Sequence, residues 1–100
     1  LIDKIRSYIS SDQYLITAHA RLRMAERGIT TGAIEQAIFT GEIIEEYSDD
    51  EPCPSVLMGI ETTDIMLHVV IGVCDDHLRI ITCYYPDDTH WITYNERRRE

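Results

Sequence analysis

Glycine and proline are scarce, five and three in 100 residues. That excludes collagen-like and low-complexity chains, and with 44% hydrophobic and 27% charged residues it describes an ordinary globular domain, disordered only at its ends. No apolar run approaches the ~20 residues that cross a bilayer, and the opening LIDKIRSYIS lacks the continuous apolar segment of a signal peptide. The expectation is a cytoplasmic chain with no membrane partner. Cysteine is limited to Cys53, Cys74 and Cys83, an odd number, two of them in β-like runs where a free cysteine packs as a small hydrophobe; no disulfide framework is expected. Basic residues number nine against eighteen acidic, a net charge of −9. With a pI of about 4.7, the chain as a whole repels nucleic acid, so an RNA partner requires a local basic groove. The same balance suits a basic partner or simple solubility.

Catalytic signatures are also missing: there is no G-x-S-x-G, no phosphate-binding glycine loop and no H-E-x-x-H. Cys74 and His77 form one C-x-x-H pair, but without a second pair at matching spacing no zinc site is expected, nor any cofactor. Cys53 sits between Pro52 and Pro54 as an exposed thiol, with nothing near it in sequence to lower its pKa.

What is present is a change of pattern near residue 41. The length fits a single domain over 1–100, burying ~65% of the surface its unfolded chain exposes. Residues 1–41 read as helical. Ile2, Ile5 and Ile9 fall at helical spacing, as in a short amphipathic helix or an ordered N-terminal arm; SSDQY breaks the pattern, and Thr17 caps a segment from Ala18 to Arg27 that Gly28 stops. Thr30 or Thr31 caps the next, with Ile34, Ala37 and Ile38 on one face before Gly41. Residues 42–86 then carry four β-like runs, EIIEEYS, SVLMGIE, IMLHVVIGVC and LRIITCYYP, with short links that favour an antiparallel meander. Residues 87–100 read as a turn capped by Asp87 or Asp88 and a frayed, charged tail. The expected fold is α+β, a helical hairpin on one face of a four-stranded antiparallel meander.

Two polar features stand out. In HARLRMAER, His19, Arg23 and Arg27 recur every four residues and span an arc of about 80° on a helix. Ala18, Leu22 and Ala25 make one flanking apolar arc, and Ala20 with Met24 makes another. Bracketed by two packing surfaces, the stripe would line a groove and orient its guanidinium groups toward phosphate or carboxylate. The alternative is that the arginines pair with Glu26, Glu35 or the acidic EEYSDDE segment on a solvated face.

The second feature is His68, inside the apolar MLHVVIGVC. Alternation sends Leu67, Val69, Ile71 and Val73 to the better core face and His68 to the other. A two-residue turn at Asp75 and Asp76 sets His68 opposite Cys83, with Arg79 and Tyr85 on its face; a single bulge would instead bring Thr82 and Tyr84 beside it. Such an imidazole suits general acid–base work, or it is a histidine satisfied by a neighbour or water.

ITAHARLRMAERGIT, GEIIEEYSDD, LHVVIGV, IITCYYPDD and Trp91 together resemble domain-of-unknown-function family 4258, from about Ile16 to Trp91, most specifically through H-x-x-x-R-M-x-x-R-G-I. That resemblance implies small prokaryotic domains often encoded beside zinc-finger proteins of the antitoxin kind, and a helix–helix–sheet order similar to the RelE and BrnT toxins. It therefore implies a toxin-like, metal-independent endoribonuclease with His19, Arg23, Arg27, His68 and Tyr84 as site residues, and an antitoxin-like partner. The other reading is a non-catalytic domain that binds a protein or a small anion.

Overall fold

The computed structural model describes residues 1–61, 66–86, 91–93 and 96–97. In chain order its elements are α1 (Ile2–Ser10), β1 (Tyr14–Ile16), α2 (Ala18–Arg27), α3 (Thr31–Thr40), β2 (Glu42–Tyr47), β3 (Ser55–Glu61), β4 (Met66–Val73), β5 (Leu78–Tyr84), β6 (Trp91–Thr93) and β7 (Glu96–Arg97). The expected cap at Asp87 or Asp88 lies outside the described residues. Beyond it β6 and β7 pair as an antiparallel ribbon, so part of the tail expected to fray is strand.

The helices form where their caps predict. Thr17 and Thr30 accept the backbone N–H of Ala20 and Ala33, each at 3.1 Å, supplying a partner to an otherwise orphan donor. Gly28 takes the left-handed conformation at φ 68° that closes α2, a position where other L residues are strained. The carbonyls at the end of α3 are met from another helix. Arg6 of α1 donates Nε–H to the Ile38 carbonyl at 3.0 Å and Nη2–H to that of Gly41 at 3.1 Å, placing a cation at the negative end of α3.

The fold is α+β, as expected, but the sheet has five strands in the order β1-β5-β4-β3-β2 and is mixed. The expected four-stranded antiparallel meander is present as β2 to β5. The added strand is β1, which runs parallel to β5 with Tyr14 opposite Leu78 and Ile16 opposite Ile80. Three residues are too short to show alternation, and their partner lies 64 positions away, so no local pattern announces them. The ladder is framed by Leu78 N–H to the Gln13 carbonyl (3.0 Å) and Thr17 N–H to the Ile80 carbonyl (3.1 Å).

One face of the sheet holds the core. Val56, Met58 and Ile60 of β3, Leu67, Val69 and Ile71 of β4, and Leu78, Ile80 and Cys83 of β5 pack with Ile5, Ile9, Ala20, Ile34 and Ile38 from the helices. On β5 the alternation skips a residue between Ile80 and Cys83 because the β4–β5 register shifts there, leaving Ile81 as a bulge. Thr17 holds that bulge. Its hydroxyl donates to the Ile81 carbonyl at 2.9 Å while accepting from Ala20, so one oxygen caps α2 and satisfies the irregular strand. Thr17→Val keeps the shape and removes both bonds; the expected loss is about 2 kcal/mol in urea unfolding. A loss under about 0.5 kcal/mol would mean that the hydroxyl holds neither.

A second departure concerns cysteine. Cys53 and Cys74 form a disulfide with Cα atoms 5.2 Å apart. The pairing Ser55 opposite Gly72 draws the start of β3 to the end of β4, and Cys53 and Cys74 lie just beyond that pair. An odd count concealed the bond because only Cys83, buried in the core, is left over. The exposed Cys53 thiol expected from its flanking prolines is therefore replaced by a bonded sulfur. Among the described residues no helix is long and apolar enough to cross a membrane.

Candidate functional site

The bulge decides what surrounds His68. With the register shifted, His68 stands opposite Tyr84 rather than Cys83, and Tyr85 is not its neighbour across the ladder. Of the two arrangements read from the sequence, the bulged one is present. On the face turned away from the helices, Glu42, Gly59, His68 and Tyr84 form one row across four strands; Glu45, Leu57, Val70 and Thr82 form the next. Gly59 carries no side chain between Glu42 and His68. Tyr47 lies in the third row with Arg79, and its hydroxyl donates to a Glu45 carboxylate oxygen.

His68 Nδ1 and Tyr84 Oη are 3.3 Å apart, and the rings meet edge to face with centroids 5.3 Å apart. His68 is 0% exposed. A phenol and an imidazole so placed can pass a proton between themselves, but an outside substrate does not reach the ring in this arrangement. The charges nearby also disfavour phosphate. Glu42 and Glu45 share the face, and the cation Arg79 lies two rows from His68, about 13 Å along the strands.

The cationic stripe has a different setting. Arg23 is held by Glu26 in an ion pair one turn along its own helix, as the solvated-face alternative anticipates. His19 and Arg27 are exposed. Of the two flanking arcs only Ala20 and Met24 pack; Ala18, Leu22 and Ala25 are exposed, Leu22 by 54%. The expected groove with two apolar walls is thus corrected to a helix with one packed side. Alanine and leucine at helical spacing look alike in sequence whether or not a layer covers them. Among the described residues, Arg21 and Arg27 have no ion-pair partner.

The end of α2 is tied to β5, where Tyr85 Oη donates to the Arg27 carbonyl at 3.4 Å. Burial pushes the Cys83 thiol pKa up, and the charge of Arg27 offsets part of that rise. Of the five residues singled out by sequence, the structure joins His68 with Tyr84 directly and leaves His19, Arg23 and Arg27 together on α2. Sequence reasoning missed Arg21 and Leu22 as surface features. The available signal was three arginines within residues 21–27, one of them off the stripe.

Cys74 is bonded to Cys53 and so is not a thiolate ligand beside His77; His77 Nδ1 instead meets Asp76 at 2.7 Å, which lowers the Asp76 pKa. Among the described residues no three His, Cys, Asp or Glu side chains converge as a metal site.

A family model described as a domain of unknown function (DUF4258) matches residues 16–85. No curated protein and no solved structure matches significantly.

Proposed function

We propose, from the premise that this chain belongs to the DUF4258 family of domains of unknown function, that it is a non-catalytic protein-binding domain whose contact surface is the outer side of α2. The observation that carries this reading is that Arg21 and Arg27 are exposed and, among the described residues, without an ion-pair partner, beside an exposed Leu22, in a chain of net charge −9. Elsewhere this protein has acid to spare, yet these cations are left for something outside it. An apolar anchor ringed by cations fits an acidic, amphipathic partner segment.

The test is binding of a labelled acidic helical peptide, rich in Glu and Leu, followed by fluorescence anisotropy. Arg21→Glu with Arg27→Glu is expected to weaken binding about tenfold or more, and added salt to weaken the parent protein. Equal binding by both proteins at all salt concentrations would refute the reading.

A second reading rests on the His68 and Tyr84 contact. In it the chain is a toxin-like, metal-independent endoribonuclease paired with an antitoxin-like protein, and the histidine and phenol, once this face opens to expose His68, exchange protons with the ribose 2′-OH and the leaving oxygen. The two readings separate cleanly. Under the binding reading, purified protein leaves structured RNA intact across pH 5–9 (roughly the range in which an imidazole changes charge), and expression does not arrest growth. RNA cleavage abolished by both His68→Ala and Tyr84→Phe, each still folded, would establish the second.

A further inference from the structure

We infer that the Cys53–Cys74 disulfide is a thiol-reversible clasp, with Cys53 the sulfur that an external thiol attacks, and that it controls the acidic segment preceding β3. The clasp closes one end of the sheet. Cys53 leads into β3 and Cys74 follows β4, and between them Val73 N–H donates to the Pro54 carbonyl at 2.7 Å. The two cysteines differ in access: Cys74 is buried, whereas Cys53 is partly exposed between two exposed prolines. Exchange requires in-line approach to a sulfur, so access selects Cys53.

The segment that this bond anchors is strongly charged. Asp49, Asp50 and Glu51 lie directly before Pro52 and are exposed, and six of the eighteen acidic residues fall within positions 42–51. A second tie, from the Ser55 hydroxyl to the Asp50 carboxylate, holds the segment near β3. On the other side Cys74 opens the β4–β5 turn, whose Asp75 and Asp76 carbonyls accept bonds from Tyr8 Oη of α1 and from Gln13 Nε2, just before β1. The clasp therefore joins an acidic segment to a turn that is independently fixed to the helical layer. Opening it loosens the acidic side, left to the Ser55–Asp50 tie, and leaves the turn in place.

The chemistry balances with a thiol as the reductant. A thiolate attacks Cys53 Sγ, the bond to Cys74 breaks, and the Cys74 thiolate takes a proton. A second thiolate then attacks the mixed disulfide and releases Cys53, so two thiols become one disulfide and the protein gains two electrons and two protons.

The core cysteine gives an internal control. Cys83 is 0% exposed, so it becomes alkylated only when the fold opens. The full chain is oxidised with glutathione disulfide, reduced with dithiothreitol under native conditions, alkylated with iodoacetamide and read by mass spectrometry. The expected result is an added group at the accessible Cys53 with Cys83 unmodified, and amide exchange that rises on reduction at 48–54 and not at 74–77. Cys53→Ser, kept folded without the bond, is expected to show that exchange pattern with no reductant. Failure of the oxidised chain to form the bond, reduction only together with Cys83 labelling, or unchanged exchange at 48–54 would each overturn the proposal.

Discussion

Gly41→Ala is expected to destabilise the protein by about 3 kcal/mol, lowering the thermal midpoint by roughly 15 °C. A methyl group built there lies 2.2 Å from the Ala37 carbonyl oxygen and 2.5 Å from that of Gly59. Both are backbone atoms, so no side chain can swing aside to admit it. With φ at −85°, the requirement is space rather than an unusual conformation. Moving the chain to make room would shift the Gly41 carbonyl away from Arg6, and with it a link between α1 and the end of α3. It would also push against Gly59, the position between Glu42 and His68. Urea and thermal unfolding measure the effect. A change below about 1 kcal/mol would show that the end of α3 and strand β3 do not approach this closely.

The second large effect concerns the clasp. Replacing Cys53 and Cys74 together by alanine is expected to lower stability by about 3 kcal/mol relative to the oxidised protein, because a cross-link spanning 21 positions removes conformations from the unfolded chain. Reduced parent protein is the control. If the loss comes from the lost bond, reduced parent and double variant agree within about 0.5 kcal/mol. A double variant as stable as the oxidised protein would mean that the bond contributes nothing to the fold, whatever its redox behaviour.

Both effects depend in part on contacts between distant parts of the chain, which is why their size was not visible in sequence. Gly41 reads as an ordinary helix stop, yet beside the local Ala37 carbonyl it meets Gly59, on a strand that begins at Ser55. The helical caps behaved differently. Thr17, Thr30 and Gly28 act on atoms within a few residues of themselves, so spacing was enough to place Thr17 and Gly28 and to narrow the α3 cap to Thr30 or Thr31.

The candidate site divides in the same way. Alternation assigned His68 to the face opposite Leu67 and Val69 from β4 alone. Its partner on β5 depended on whether a bulge intervened, and both Cys83 and Tyr84 were consistent with the pattern. The Thr17 hydroxyl, which reaches the Ile81 carbonyl from 64 positions away, is part of what holds the bulge. On α2, the i+4 spacing gathered His19, Arg23 and Arg27 on one helix, and of the three partners open to its arginines in sequence the structure pairs Arg23 with Glu26, three residues on. It did not distinguish a packed arc from a bare one, since Ala18–Leu22–Ala25 and Ala20–Met24 have similar composition.

By itself, then, the sequence determined α2 and α3 and where each stops, the apolar face of β4, the charge balance and the family. These follow from periodicity and from side chains that satisfy nearby backbone, and such interactions are complete within a few residues. Only the tertiary structure decided the fifth strand, the His68 and Tyr84 contact, the Cys53–Cys74 bond and the exposure of α2. Each depends on which surfaces meet when segments tens of residues apart fold together, and that pairing is set by the packing of the whole chain.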